Sequence, residues 1–258
     1  MIEGSSPFLS ENAARVVRCP SPSFTERRGG GRPALVVLHY TAMESGAAAV
    51  ARLCDPKIEA SAHYLIDIDG TVTAMVAEEQ RAWHAGASFW GGVQDVNSWS
   101  IGIEIANPGH HLGYPPYPEA QMASLEGLLG GIIRRWTISP EGVVAHACIA
   151  PGRKIDPGEK LDWRRLARAG LAVWIDPPVA RDSVAADLPE LMAAAALLGY
   201  PVPETPEWSE DMKALWHSLS MRWLAPSPLF GHPPCRAGLR HIQMLAERWP
   251  ATITGSNG

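Results

Sequence analysis

The feature that most constrains the fold of this 258-residue chain is a short apolar run, LVVLHY, at Leu35–Tyr40. Successive branched aliphatic residues are typical of a strand that is buried on both faces. Ser45 then stands as a helix cap before an alanine-rich segment at residues 47–53, and Pro56 prevents the helix from continuing. A buried strand that is followed at once by a helix predicts a crossover unit, and therefore a sheet that is covered by helices.

Two further strand patterns follow. Residues 62–68 and 71–76 flank the pair Asp69-Gly70, which is typical of a tight two-residue turn between antiparallel strands. In SIGIEIA, residues 100–106, three isoleucines alternate with other residues, so they share one face of the strand and Glu104 points to the other.

A long core-facing helix is predicted over residues 117–136. It begins beside Pro118 and repeats leucine, isoleucine and methionine at helical spacing. Residues 143–145 form a short apolar run that leads directly into His146. Strands and helices mixed in this way predict an α/β fold, with a central mixed β-sheet flanked by helices.

Glycine and proline divide the chain into four predicted segments. Residues 1–33 form an irregular N-terminal arm, residues 34–172 the main domain, residues 173–184 a linker, and residues 185–250 a small helical module. The candidate functional residues lie at or before residue 156. We therefore expect the functional site to need none of the C-terminal helices.

Charge and cysteine content narrow the possible partners and compartment. A formal net charge of −5 argues against the broad basic surface that binds nucleic acid, and no apolar stretch is long enough to span a membrane. Four cysteines are scattered without a paired motif, and the first residues resemble no secretory signal. We expect a cytoplasmic protein with free thiols. The oligomeric state stays open.

Three polar residues, His39, His146 and Asp156, stand at strand ends or in a loop. Taken singly, such residues are more often structural histidines or turn residues. Taken together, two imidazoles and a carboxylate form a common catalytic zinc set with a fourth position left open. Pro157 favours an extended backbone at Asp156, which directs Lys154 to the same side, where an ammonium group can neutralise an oxyanion.

Five stretches in order carry a resemblance to a known family: VVLHYTA (36–42), SAHYLIDIDGTV (61–72), AWHAG (82–86), NSWSIGIEIANPG (97–109) and HACIAPGRKIDPG (146–158). The chain resembles the N-acetylmuramoyl-L-alanine amidases of the AmpD and peptidoglycan-recognition-protein superfamily over roughly residues 34–165. The resemblance implies the fold of that superfamily. It also implies a hydrolase that cleaves the amide between the lactyl group of N-acetylmuramic acid, or its 1,6-anhydro form, and L-alanine in muropeptides during cell-wall recycling.

The resemblance also implies the roles of the site residues. One zinc ion per chain would be bound by His39, His146 and Asp156. Glu104 would act as general base and then as general acid. Lys154 would stabilise the tetrahedral intermediate. Physical chemistry agrees, because zinc lowers the pKa of water and a neighbouring carboxylate can accept and return the proton.

Other motif residues are predicted to bind the substrate: His63, Trp83, His84, Asn107 and Arg153. The amide of Asn107 suits peptide carbonyls, and the guanidinium of Arg153 suits carboxylates. Trp83 suits one wall of a sugar groove, with core packing as the alternative. His63 and His84 contact the substrate, support the metal ligands or have a buried structural role.

The chain departs from the pattern of the family at two positions, and two alternative functions stay open. Ala62 stands where many relatives have tyrosine, which favours the AmpD-like subgroup, and Cys148 replaces a common acidic residue and places a thiol near the zinc. A non-catalytic peptidoglycan recognition protein is one alternative, although the complete ligand set counts against it. An exported amidase that acts on polymeric peptidoglycan is the other, since the C-terminal helices loosely resemble a peptidoglycan-binding module.

Overall fold

The computed structural model of the protein describes residues 15–251, so residues 1–14 of the predicted arm lie outside the described residues. The strands are β1 (Val16–Arg18), β2 (Phe24–Thr25), β3 (Leu35–Tyr40), β4 (Tyr64–Ile66), β5 (Val72–Ala74), β6 (Arg81–Ala82), β7 (Ser100–Ile105) and β8 (Val143–Ala145). The helices are α1 (Gly46–Leu53), α2 (Val96–Trp99), α3 (Glu119–Trp136), α4 (His146–Ile149), α5 (Trp163–Arg168), α6 (Leu188–Leu197), α7 (Glu210–Trp223) and α8 (Arg236–Arg248).

Six strands form one mixed sheet in the order β1-β5-β4-β7-β3-β8. β3 lies parallel to both β7 and β8, and β4 lies parallel to β7, so the centre of the sheet is parallel. β5 runs antiparallel to β4 and parallel to β1. β2 and β6 pair separately as a small antiparallel sheet. The predicted α/β fold, a central mixed sheet flanked by helices, is confirmed.

β3 spans the whole predicted strand and is buried throughout. The Ser45 hydroxyl accepts a hydrogen bond from the Ala48 amide at 3.2 Å, so the predicted cap of α1 is confirmed. β7 forms at the predicted alternating segment, and its register with β3 sets His39 opposite Glu104. Registered side chains of neighbouring strands point to the same face, so the two residues lie together.

The hairpin between β4 and β5 is present, but its turn is longer than predicted. The Asp67 amide donates to the Thr71 carbonyl at 2.8 Å, which leaves three residues, and not two, between the bonded positions. Gly70 has a φ of +86°. A third loop residue in the left-handed region is typical of a three-residue hairpin loop, and it explains the glycine.

α3 fixes the ends of two central strands as well as covering the sheet. It begins at Glu119, two residues later than predicted, with Pro118 as its cap. The Gln121 side chain donates to the Ile66 carbonyl at the end of β4 and to the Ala106 carbonyl just after β7. The Ile66 carbonyl also accepts from the Ala106 amide at 2.8 Å, so the Gln121 side chain ties α3 to the place where β4 meets the end of β7.

The segment predicted as a small helical module contains α6, α7 and α8. Their buried apolar residues belong to the same hydrophobic cluster as those of β3 and α3. At the junction, the Arg222 guanidinium of α7 lies 3.8 Å from the ring centre of Trp163 and 3.7 Å from that of Trp223. The helices therefore pack directly onto the main domain. Within residues 15–251, no helix combines the length and the apolar character that crossing a bilayer requires.

Candidate metal centre and active site

The three predicted metal ligands lie together at the carboxyl ends of two neighbouring parallel strands. His39 is the fifth residue of β3, and His146 directly follows β8, the neighbour of β3. Such strand ends meet at one edge of a sheet, so both imidazoles arrive at the same place. Asp156 lies in the loop after α4, where its carbonyl accepts a hydrogen bond from the Ala147 amide at 2.9 Å. That bond joins the two segments that carry His146 and Asp156.

The ligand atoms converge on one point. Nδ1 of His39 lies 2.8 Å from Nδ1 of His146 and 3.1 Å from Oδ2 of Asp156, and His146 Nδ1 lies 2.9 Å from the same oxygen. All three side chains are buried, and their ligand atoms lie within 4.8 Å of one another. Two nitrogen atoms and one oxygen atom in this arrangement match the protein ligands of a catalytic zinc site. The residues present therefore fit a zinc ion.

The ring nitrogens that face away from this point determine the tautomers of both histidines. The Ser100 hydroxyl donates to a carbonyl oxygen of α2 at 2.7 Å, so it accepts from Nε2 of His84 at 3.2 Å. His84 Nδ1 is then an acceptor, and it receives the Nε2 proton of His39 at 3.1 Å. His146 Nε2 donates to the Ala85 carbonyl at 3.2 Å. His39 and His146 therefore each keep an unprotonated Nδ1, which is the form of the imidazole that binds a metal.

The protonation states agree with these tautomers. Burial and the neighbouring His146 lower the pKa of His39 to about 4. Burial also lowers the pKa of His84 well below its ordinary value. Burial alone would raise the pKa of Asp156, but its interactions with the two ligand imidazoles lower that pKa. Neutral imidazoles and an ionised carboxylate are the states that metal binding needs.

Glu104 provides a second carboxyl group beside the ligand cluster. Its Oε2 is buried and has no hydrogen-bond partner within residues 15–251. Burial and the negative charge of Asp156 raise the pKa of Glu104 well above its ordinary value, and the positive charge of the half-buried Lys154 opposes that rise. A carboxyl group with a raised pKa next to a metal cluster suits proton transfer to and from a substrate.

His63 and Asn107 are both hydrogen-bonded inside the protein, and their substrate contacts stay predictions. His63 is fully buried, its Nδ1 accepts from the Gly102 amide at 2.9 Å, and its Nε2 lies 3.3 Å from the Arg27 guanidinium. Asn107 is also buried, and its side-chain oxygen accepts from the Gly109 amide at 2.9 Å while its nitrogen donates to a nearby carbonyl. Both side chains form their hydrogen bonds with other groups of the protein.

The position of His84 favours the second of its predicted roles. It is buried behind His39 and bonded to it, so it is placed to support the metal ligand and not to contact the substrate. Arg153 is exposed, and one of its guanidinium nitrogens donates to the Ala85 and Ala87 carbonyls at 2.6 and 2.5 Å. Trp83 is half-buried, and within the described chain its indole nitrogen has no partner. Arg153 and Trp83 stay predictions as substrate-binding residues.

Two tyrosines that sequence reasoning missed hold the loop after Asp156. The hydroxyl groups of Tyr114 and Tyr117 both donate to the Pro157 carbonyl, at 2.8 and 2.7 Å. Both rings are buried, and Tyr114 also accepts from the Lys160 amide at 2.8 Å. The run GYPPY at residues 113–117 has no spacing that distinguishes it from an ordinary aromatic loop, so no sequence signal pointed to this role.

α7 and the segment before it contact the segment that carries His146. The Ser218 hydroxyl donates to the Ala147 carbonyl at 2.7 Å, and the Tyr200 hydroxyl donates to the Cys148 sulfur at 3.0 Å. The Cys148 thiol therefore faces the C-terminal helices. Within residues 15–251 it does not belong to the candidate metal cluster, which consists of His39, His146 and Asp156. The expectation that the site needs none of these helices stays a prediction, and the contact between α7 and the residue that follows His146 is the place to test it.

Comparison with known proteins identifies relatives of the chain. Residues 29–159 match the family model described as N-acetylmuramoyl-L-alanine amidase. The chain is 39% identical over 154 residues to N-acetylmuramoyl-L-alanine amidase AmiD of Escherichia coli, covering 55% of each protein, so it spans about half the length of that relative. It is 34% identical over 163 residues to 1,6-anhydro-N-acetylmuramyl-L-alanine amidase AmpD of Haemophilus influenzae, covering 56% of this chain and 86% of that protein.

Solved structures extend the similarity beyond the family match. Escherichia coli AmiD, in complex with anhydro-N-acetylmuramic acid-L-Ala-D-gamma-Glu-L-Lys, gives a TM-score of 0.72 at 30% identity and covers 88% of this chain and 98% of that one. Pseudomonas aeruginosa AmpDh3, in complex with anhydromuramic pentapeptide, gives a TM-score of 0.74 at 31% identity and covers 95% and 100%. Coverage of this extent includes part of the C-terminal helices.

Proposed function

Because the chain belongs to the N-acetylmuramoyl-L-alanine amidase family, we propose that it hydrolyses the amide between the lactyl group of N-acetylmuramic or 1,6-anhydro-N-acetylmuramic acid and L-alanine in muropeptides. The proposal includes a role in cell-wall recycling. One observation carries it. The ligand atoms of His39, His146 and Asp156 converge beside Glu104, whose Oε2 has no hydrogen-bond partner within residues 15–251.

Zinc is the proposed metal, with one ion per chain. His39 and His146 would bind it through Nδ1, and Asp156 would bind it through Oδ2, since these are the atoms that face each other. When bound, zinc supplies Lewis-acid polarisation of the scissile carbonyl and lowers the pKa of water. His84 and the Ala85 carbonyl hold the two imidazoles in the tautomer that leaves Nδ1 free.

Glu104 and Lys154 carry the proton and charge transfers in the proposed mechanism. Glu104 accepts a proton from the attacking water and later donates it to the nitrogen of the leaving alanine, which its raised pKa favours. Lys154 places its ammonium charge beside the oxygen that becomes negative when the carbonyl is attacked. Both groups act on the same amide, so each contributes to the transition state and not to metal binding.

We place this activity in the cytoplasm. Within residues 15–251 all four cysteines are free thiols, which is usual in a reducing compartment. Fractionation of cells that express the untagged protein tests the compartment. Recovery of the protein outside the cytoplasmic fraction contradicts it and leaves the proposed chemistry unaffected.

Mass spectrometry of a defined muropeptide tests the chemistry. Purified protein is expected to contain about one zinc per chain and to convert anhydro-N-acetylmuramic acid-L-Ala-D-γ-Glu-L-Lys to the anhydro sugar and the free tripeptide. A chelator should remove the activity and added zinc should restore it. A zinc-loaded, folded protein that leaves this substrate and its non-anhydro counterpart intact rules the proposed function out.

A further inference from the structure

A cavity of about 380 Å³ opens beside Glu104 and continues along α1. One wall is the loop after β3, and the other is the side of α1 that faces this loop. The lining residues are Thr41, Ala42, Met43, Ala49, Arg52, Leu53 and Glu104. Since Glu104 is the proposed general base, whatever occupies the cavity lies next to the scissile bond.

The lining combines apolar and polar residues, and it includes a single positive charge. Met43, Ala49 and Leu53 are apolar, whereas Arg52 is the only cation among the described residues that line the cavity. Arg52 lies in the last turn of α1, is exposed, and forms no ion pair within residues 15–251. A guanidinium group without a carboxylate partner offers several hydrogen-bond donors to an anion in the cavity.

The positive charge of Arg52 favours the peptide side of the substrate over the sugar side. The lactyl carboxyl is consumed in the amide, so the sugar side of the scissile bond is neutral. On the peptide side, D-glutamate that is linked through its γ-carboxyl keeps a free α-carboxylate. L-Alanine and D-glutamate together span at most about 7 Å, so this carboxylate stays close to the scissile nitrogen. The alanine methyl group suits the apolar residues of the lining, and the carboxylate suits Arg52.

We propose that Arg52 binds the α-carboxylate of the second stem residue and makes the enzyme selective for peptides in which this carboxyl group is free. The inference rests on the proposed function. Arginine pairs with carboxylates in a bidentate geometry, which adds orientation to affinity. Peptides whose D-glutamate is amidated at the α-position lose that pairing and leave the guanidinium facing a neutral group.

Arg52 also has a purely structural explanation, because a cation in the last turn of a helix interacts favourably with the helix dipole. That role affects the stability of α1 in the same way for every substrate. The proposed role affects the ratio of activities towards two substrates that differ only at one carboxyl group. The two explanations are therefore separable by measurement.

The experiment uses anhydro-N-acetylmuramic acid-L-Ala-D-γ-Glu-L-Lys and the same compound with its D-glutamate α-carboxyl amidated. Wild-type enzyme is expected to show a kcat/KM about tenfold or more higher for the free carboxylate, mainly through KM. In Arg52→Gln the ratio of the two kcat/KM values should fall towards one, and in Arg52→Lys it should lie in between. Arg168→Gln removes another exposed arginine that lines no part of the cavity, and it should keep the wild-type ratio.

All rates are compared per zinc-loaded, folded chain, so that a change in metal content does not appear as selectivity. A wild type that cleaves neither compound refutes the proposed function itself. A wild type that cleaves both with similar efficiency refutes only the role of Arg52. So does a preference that survives in Arg52→Gln, or one that Arg168→Gln removes equally.

Discussion

Replacing Ser218 with alanine tests whether α7 supports the metal centre. The Ala147 carbonyl has no donor within its own helix, since the residue four positions later is Pro151, which lacks an N–H group. Ser218 of α7 is buried and supplies a hydrogen bond to this carbonyl at 2.7 Å. Ala147 directly follows His146, and its amide donates to the Asp156 carbonyl. The variant therefore removes a bond that fixes the residue between two metal ligands.

The size of the effect follows from the burial of this bond. A buried carbonyl that loses its donor costs about 1–3 kcal/mol. Changes in the groups that orient metal ligands typically weaken metal binding 10- to 100-fold. For Ser218→Ala we expect the zinc dissociation constant to rise roughly tenfold, which corresponds to about 1.4 kcal/mol. The free energy of unfolding of the metal-free protein should fall by about 1–3 kcal/mol.

Competition with a chromophoric zinc chelator measures the dissociation constant, and urea unfolding measures the stability. Ser220→Ala is the matched control, because Ser220 is equally buried in α7 but its hydroxyl donates within its own helix, to the His217 carbonyl at 3.0 Å. It should bind zinc like the wild type. Unchanged zinc affinity in Ser218→Ala refutes the reasoning. Equal weakening in both variants assigns the effect to a general loosening of α7.

Three further outcomes are expected. Asp156→Ala loses zinc and activity together, since one of three ligands is gone, and elemental analysis that finds about one zinc per chain contradicts this. Glu104→Gln and Lys154→Ala keep zinc while kcat falls about a hundredfold or more; near wild-type turnover refutes their roles. Burial would raise the pKa of Glu78, but hydrogen bonds, led by the one from Arg135, lower it. Ionised Glu78 therefore stabilises the fold when the pH is above 4.5, the ordinary pKa of the group. This stabilisation disappears as the pH falls through the lowered pKa. Glu78→Gln should therefore reduce the free energy of unfolding more at pH 7 than at pH 3, and urea titrations that show equal losses rule this out.

The central sheet and the side chains it positions were accessible from sequence because they depend on local pattern. The apolar run of β3 and the alternation of β7 each determine which way a side chain points, whatever the rest of the chain does. Parallel pairing in register then brings His39 beside Glu104. A short strand that ends just before His146 adds the second imidazole at the same edge. For these residues, local sequence and sheet geometry agree.

The polar residues around the site were harder to assign, because burial is decided by distant partners. Nothing near His63 in the sequence indicates that Arg27, 36 residues earlier, lies against it. Carbonyl groups of Glu78, Asn97 and Ser100 hold the Arg27 guanidinium there. His84 and Asn107 likewise have chemistry that suits a ligand, and their bonding partners become visible only in the folded chain. A polar residue in a motif is therefore evidence of a fixed role, but not of contact with the substrate.

Pro151 is the sequence signal that links the C-terminal helices to the metal centre. A proline four residues after Ala147 requires the Ala147 carbonyl to find a donor outside its own helix, although the sequence does not say which one. The donor is Ser218, 71 residues later, and it is brought into place by the packing of α7 against α4. Since the whole fold is stable by only about 5–15 kcal/mol, a cost of about 1–3 kcal/mol at this carbonyl is large. Residues 173–184 interrupt the regular structure of the chain, but the support of His146 crosses that interruption.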